Sequence, residues 1–387
     1  MPFEIASIHE LAGLQLLQEE WNALQQRSSA RGAALDWHTI TIWWKHFGHE
    51  GKLWILTARD AEHRLVGIAP LMCRRFQPKI GFAWRQIEFI GSMHHHEHLD
   101  FIIEPGLEEG IVPLFIRYLA QQRQHWDVLH LSALADTPTL DLLKKCEGDW
   151  LQDIYEPMIS PYIVLPGTPD DWLKSLSRNR RWKLKRQQRQ LDEDFPDRWS
   201  VQVLSDSQQL DSMLDLLVRL HQERRTALGD AGAFANPALI AYYRELMHCY
   251  LEQGWLRFYT FTLENRIPVA LYAYHYRERA YNEIVGFDDT LTEIPIGHVL
   301  TAFSIEQAIV QGANEYTLMW GQEPYKYSFG AEDRVQHNLT WFAAPVARMQ
   351  HFILQGLRQA KARLRQLRAA NKTGESERRD PLANLES

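Results

Sequence analysis

The run Trp320-Gly321-Gln322-Glu323-Pro324-Tyr325-Lys326-Tyr327 gathers a carboxylate, two phenols and an ammonium just after a strand-like segment. Side chains of these types move protons when held within hydrogen-bond reach of a reacting atom. Tyr325 or Tyr327 could serve as an acid, and Glu323, His275 or Glu283 as a base. Residue type and spacing do not rank them, and Lys326 completes the candidate set. Without chemistry, the same run is a turn with a surface lysine and packing tyrosines.

A second stretch invites an anion. Val285-Gly286-Phe287-Asp288-Asp289 reads as a strand end, and Pro295-Ile296-Gly297-His298-Val299-Leu300 as the start of a helix. The first N–H groups of a helix lack partners within it, and the helix dipole adds positive potential there. Val285, Gly286, Phe287, Ile296, Gly297, His298 and Val299 are therefore the candidate ligand-holding residues. The plain alternative is that Gly297 only lets the helix pack closely.

Two further clusters stand out. Arg178, Arg180, Arg181, Lys183, Lys185, Arg186 and Arg189 crowd one segment. They read as a solvated helix face or as a surface for phosphate groups. His94-His95-His96-Glu97-His98 with Asp100 suggests metal ligands, but Asp100 stands where a zincin's second histidine belongs, so no metal is expected. The sequence contains no phosphate-loop, dinucleotide-fold or hydrolase-elbow motif.

The elements that must position these groups occur twice in one order. The first copy predicts a strand at 3–8, a helix at 10–26 and a second helix carrying Ile40, Trp43, Trp44 and Phe47. A hairpin at 53–58 and 65–72 follows, then a strand at 86–91, a helix at 107–123 and a strand at 128–132. The second copy predicts the same series at 199–204, 210–224, 237–253, 256–263, 267–276, 281–287, 297–311 and 316–320. The copies are offset by roughly 190–205 residues, far beyond solenoid periods, so the repeat is a duplicated domain with a sheet in each half. The Pro-rich 157–169 segment marks the boundary. The division is 1–160, 161–345, a basic amphipathic helix at 346–370 and a disordered tail at 371–387. The tail helix has no identified partner surface and is expected to be dispensable for folding, with an anionic membrane surface as one contact.

Bulk properties narrow the classes. A net charge of −7 disfavours DNA. Three scattered cysteines, Cys73, Cys146 and Cys249, fit a reducing compartment. The opening Met-Pro-Phe-Glu lacks signal-peptide character, and a cytoplasmic location is expected.

These residues resemble the GNAT-like acetyltransferase family associated with bacterial cellulose and exopolysaccharide biosynthesis (CelD-like proteins), which is distantly similar to the FemAB peptidyltransferases. The resemblance covers roughly residues 20–335 and rests on combined motifs rather than any single one. They include Trp43-Trp44 with Phe47-Gly48, Leu65 to Leu71, and Phe89-Ile90-Gly91 followed by Asp100. Further along come Leu176-Ser177 with the basic cluster, Ala270-Leu271-Tyr272, Gly286-Phe287-Asp288, Pro295-Ile296-Gly297 and the Gly321–Tyr327 run.

The resemblance implies an α/β (α+β) fold of two tandem GNAT-like domains and acyl transfer. Acetyl-CoA would be the acyl donor, with its pyrophosphate at the Gly297 junction and N–H groups near Val285–Phe287 facing the oxyanion. A base would take the acceptor's proton, and an acid would protonate the leaving thiolate. The acceptor would be an amine or hydroxyl on a sugar or envelope-polysaccharide precursor. Members usually carry Asp and Arg where this chain has Thr317 and Trp320, and Asp where it has Gln322. That departure points to another substrate or reduced activity. The rivals are transfer from aminoacyl-tRNA and a degenerate scaffold in a polysaccharide-synthesis complex.

Overall fold

The structure, a computed structural model, describes residues 3–356 except 93, 95, 96, 205, 292 and 293, and without the side chains of 155–157. The first half runs β1 (Glu4–Ile8), α1 (Leu11–Leu16), α2 (Gln18–Arg27), α3 (Trp37–Phe47), β2 (Gly51–Arg59), β3 (Leu65–Phe76) and β4 (Trp84–Phe89). It continues with a short β5 (Ile102–Ile103), α4 (Glu108–Gln121), β6 (Val128–Leu134), α5 (Pro138–Lys145) and β7 (Leu151–Val164). After α6 (Pro169–Ser175) and α7 (Arg178–Asp194) the order returns as β8 (Trp199–Val203), α8 (Leu210–Ala227), α9 (Pro237–Glu252), β9 (Leu256–Leu263), β10 (Arg266–Tyr276) and β11 (Arg279–Phe287). Then come α10 (Ile296–Val310), β12 (Glu315–Thr317), α11 (Pro324–Tyr327) and β13 (Glu332–Phe342). A last helix, α12, is described over residues 345–356.

Local chemistry places the element ends. Asp60 turns the β2–β3 hairpin by accepting from the N–H groups of Glu62 and Arg64 at 3.1 and 2.9 Å, the role short acidic side chains play in turns. α3 begins where Asp36 accepts from the His38 N–H, and α9 where Asn236 accepts from Ala238 with Pro237 in the first turn. On α8, Leu210, Leu214, Leu217 and Leu220 form the buried stripe, the spacing of a helix with one face on the core.

The strands form one mixed sheet in the order β1-β2-β3-β4-β6-β13-β7-β12-β11-β10-β9-β8, with β5 beside β3. The order is nearly palindromic. Each half ends its antiparallel set in a parallel pair, β4 with β6 and β11 with β12. The final strand of each half then crosses to the other: β7 pairs with β12, and β13 with β6. The crossed strands pair with each other from Glu332↔Tyr162 to Phe342↔Leu151. The mixed α/β fold flanked by helices is as the sequence predicts. The expectation of a separate sheet in each half is corrected, because the exchange of β7 and β13 fuses the two into one. The expected 160/161 boundary falls inside β7.

The main core also runs through both halves. α3 packs on α9, its counterpart in the repeat. The Thr39 and Tyr250 hydroxyls bond across this contact at 2.9 Å, and the Tyr276 hydroxyl donates to Asp36 at 3.1 Å.

α12 departs from expectation. Ala347, Gln350 and His351 are buried, His351 reaches Asp153 at 3.1 Å, and its ring lies 4.3 Å from that of Phe342. The described part of the tail helix is therefore docked on the body. The rest of the expected 346–370 helix and the 371–387 tail lie outside the described residues.

Candidate active site

β11 and β12 run side by side for three residue pairs, Arg279–Tyr281 against Glu315–Thr317. β11 then continues to Phe287 with β10 on one edge and no described strand on the other. The chain leaving β12 turns away through Met319 (φ 57) and Gly321 (φ 105). The N–H groups of Leu318 and Gly321 bond instead to the β7 carbonyls of Pro161 and Ile159. The expected strand to Trp320 thus stops at Thr317, and a wedge opens along β11 from Asn282 to Phe287. Backbone groups on that edge are free of the ladder that would otherwise consume them.

α10 starts at the mouth of this wedge. Its N-cap position is Pro295, and no described side chain caps its first turn. A Cβ on Gly297 would meet only the Phe287 ring, at 3.4 Å, an ordinary contact. Close packing therefore does not explain the glycine, and the front of the turn stays open. Ile296 and Val299 point into the core and anchor the helix. His298 is stacked on Phe329 and bonds Ser328 Oγ at 2.6 Å. Burial, with the nearby Lys183 ammonium, pulls its imidazole down to about 4, so it is neutral at pH 7.

Two cations converge on this junction: Lys183, from the basic cluster that the sequence offers as a surface for phosphate groups, and Arg224, which the sequence did not single out. Arg224, near the end of α8, lies over the Phe287 ring at 5.5 Å and pairs with Asp289 at 3.4 Å. Lys183 arrives from α7, whose flank carries a groove of about 470 Å³ lined by Asn179, Trp182, Lys183, Arg186, Gln187 and Gln190. No periodicity signals Arg224, because its role depends on where α8 ends in space.

Among the proposed bases, Glu283 occupies a distinctive backbone position. The β10–β11 register passes from Tyr272↔Ile284 to Ala273↔Asn282, leaving Glu283 as the extra residue of a bulge. Bulges re-aim side chains beside functional sites. Glu283 Oε1 accepts from the Tyr243 hydroxyl at 3.2 Å. Burial pushes its carboxyl up to about 8, and the charge of Glu97 adds to the shift. Glu97 comes from the histidine-rich loop of the first half. Its Oε2 accepts from Ser160 Oγ of β7 at 2.7 Å, and burial pushes this carboxyl up to about 7. The crossed strand thus brings the two halves' carboxyls into electrostatic range. In the same loop, Trp43 Nε1 donates to His94 Nδ1 at 2.9 Å. No group of metal-ligating side chains occurs among the described residues. His95 and His96 lie outside them.

The other acid–base candidates separate. His275 pairs with Ala280 at the opposite end of β11 from Phe287; seven residues of strand place it about 23 Å away along the sheet. Lys326 is buried, and its ammonium donates to the carbonyls of Met319, Trp320 and Gly321 at 2.9, 2.9 and 3.1 Å. Lys326 therefore holds the loop together, with its ammonium turned to backbone carbonyls. Glu323 pairs with Lys326 at 2.9 Å. Burial pushes its carboxyl up, but the hydrogen bonds from Lys326 and its own backbone N–H, with the Lys326 and Arg225 charges, together outweigh this and hold it low, which makes it a weak base. The Tyr327 hydroxyl donates to Asp333 at 2.7 Å. Tyr325 remains: it is 46% exposed, and no described side chain bonds its hydroxyl. Burial and the Glu323 charge raise its phenol to about 12, against the pull of Arg224.

Three more candidates are accounted for by packing. A Cβ on Gly286 would sit 2.9 Å from the Leu217 carbonyl oxygen, so that glycine lets α8 approach β11. Val285 and Phe287 pack against the cluster containing Ile296 and Leu300. At the positions of family departure, Thr317 is fully buried and Trp320 is exposed.

Residues 178–327 match the family described as "Acetyltransferase (GNAT) domain". The chain is an acyltransferase with a GNAT domain. Solved structures similar to the whole chain extend the fold beyond that segment. FemX shares 12% identity at a TM-score of 0.58, covering 90% of this chain and 99% of that one. A conserved Bacteroides thetaiotaomicron protein of unknown function shares 10% at 0.56, covering 87% and 99%. The C-terminal domain of a putative lysylphosphatidylglycerol synthetase from Agrobacterium fabrum shares 9% at 0.51, covering 88% and 95%. At these identities the likeness is one of fold. No curated protein matches. The GNAT domain's bounds enclose α7, the Glu283 bulge, the wedge, the α10 start and Tyr325, so every group converging on the mouth lies inside it.

Proposed function

We propose that the chain transfers an acyl group, acetyl in the simplest case, from its coenzyme A thioester to an amine or hydroxyl. The acceptor is a sugar unit of a cell-envelope or exopolysaccharide precursor. The observation that carries the reading is the wedge, whose open β11 edge meets an uncapped α10 N-terminus flanked by Arg224 and Lys183. A pyrophosphate suits that helix start and those cations. The thioester would lie along β11, with a backbone N–H facing its carbonyl oxygen. The acceptor nitrogen or oxygen attacks the carbonyl carbon, Glu283 takes its proton, and the carbon–sulfur bond breaks. Tyr325 then gives its proton to the leaving thiolate. The envelope acceptor is supported by the resemblance of the motifs and by the fold shared with a putative lysylphosphatidylglycerol synthetase.

The test is thiol release from acetyl-CoA with a panel of amino sugars and sugar nucleotides. Release that depends on an acceptor and is lost in Glu283→Gln supports the proposal. No acetyl-CoA binding by calorimetry would sink it. The second reading, an aminoacyl-tRNA donor, is favoured by the basic face of α7 and its Trp182 groove; RNase-sensitive transfer would select it.

A further inference from the structure

Two exposed apolar segments far apart in sequence are held together by one buried side chain. The β3–β4 loop presents Ile80 and Phe82, and α12 presents Val346, Met349, Phe352 and Ile353; each is more than half exposed. Gln350, on the inner side of α12, joins them. Its Oε1 accepts from the Phe82 N–H at 2.7 Å, and its Nε2 donates to the carbonyls of Ile80 and Phe82 at 3.3 Å each. Gly81, at φ 104, permits this approach, since a Cβ there would lie 2.4 Å from the Gln350 amide. The loop and helix thus form one built surface rather than scattered apolar residues.

The charge around the surface points to its occupant. Arg75 and Lys79 are exposed on β3 and the loop beside it. From Val346 to Gly374 the sequence holds Arg348, Arg358, Lys361, Arg363, Arg365, Arg368 and Lys372, and no acidic residue. The apolar spacing of α12 also continues in the sequence through Leu357, Ala360, Leu364 and Leu367. The carboxylates that α12 side chains reach are engaged, Asp149 by Arg123 and Arg348, and Asp153 by His351. A second copy of the same face would bring Arg75 and Lys79 against their own counterparts. An anionic lipid surface accepts the apolar side chains together with the exposed Arg75 and Lys79 and the cations that follow α12 in the sequence. Among the described residues no helix is long and apolar enough to cross a membrane, so the contact is peripheral.

We infer that the Ile80–Phe82 loop and the outer face of α12 form a docking surface for an anionic membrane. The test is flotation of the full chain with vesicles of phosphatidylcholine alone or with about one-third phosphatidylglycerol, a readout that does not involve acyl transfer. The chain binds the anionic vesicles and is released as salt shortens the screening length below about 8 Å. The Phe82→Ser/Phe352→Ser variant binds about tenfold or more weakly, because two inserted rings are lost. Its melting curve and acetyl-CoA titration are unchanged, because both rings face solvent. The proposal is overturned if the wild type ignores both vesicles, or if the variant floats as well as the wild type, which would leave attraction to the basic tail alone. It is also overturned if the substitutions only dissociate a dimer, which would make this face a contact between copies.

Discussion

In the proposed reaction Glu283 and Tyr325 work in different protonation states. A base works deprotonated, so activity limited by a carboxyl held at about 8 climbs with pH through that value. Glu283→Gln should lower kcat by about 10²-fold or more and remove the ascending limb. Glu97→Gln removes the neighbouring negative charge that helps raise Glu283, so the limb should move to lower pH; an unmoved limb in kcat/KM would mean the two do not communicate. Tyr325→Phe should cost about 10²-fold in turnover with acetyl-CoA affinity kept. Lys326→Met should act differently: three loop carbonyls lose their donor, and stability falls on the order of 1–3 kcal/mol in denaturant melts. The sequence offered Glu283, Tyr325 and Lys326 in one unranked set and gave Glu97 no part in it. Glu283 was separable from the others only through its bulge, and Lys326 only through a loop path set by Met319 and Gly321. A register slip and two positive φ angles leave no periodic trace.

At the level of elements, strong stripes were legible and crossings were not. The leucine stripe of α8, the hairpins and the capped starts of α3 and α9 follow from local pattern. β13 does not, because Glu332-Asp333-Arg334-Val335-Gln336-His337-Asn338 carries polar side chains on both faces. It is a strand because β6 and β7 flank it, with Arg334 bonded to Glu315 at 2.7 Å through both nitrogens. For α10 the open first turn leads to a sharp expectation. Gly297→Asp sets a carboxylate where phosphates would bind, and acetyl-CoA affinity should drop about 10–100-fold by calorimetry. The fold should survive, since the new Cβ meets only an ordinary contact. α12 reverses an earlier expectation: truncation after Pro345 strips Gln350 and His351 from the body and should lower the melting temperature by about 2 °C or more. Truncation after residue 356 spares those contacts and tests the tail separately.

Taken whole, the molecule is a duplication whose halves cannot be parted at the repeat boundary. Its repeated order was legible because each copy keeps the same succession of periods. The fusion was hidden because β7 and β13 look alike as neighbours of either half. The consequence concerns folding. A fragment of residues 149–387 retains β7 to β13 but loses β6, leaving the β13 edge from His337 to Phe342 without its partner. It also loses α3, so Tyr242 and Tyr250 on α9 face water where Phe47 and Thr39 stood. An unpaired apolar edge beside an uncovered aromatic face is an aggregation site. This fragment should therefore fail to give a soluble, cooperatively melting protein, although it contains the entire GNAT domain. The chain cut in the loop at Gly148 tests the cause. Co-expressed 1–148 and 149–387 should associate, restore the sheet and recover acetyl-CoA binding, because the cut falls between α5 and β7 and breaks no strand pair. A cooperative melt and full donor affinity from 149–387 alone would show instead that the exchange of strands is an ornament on a self-sufficient domain.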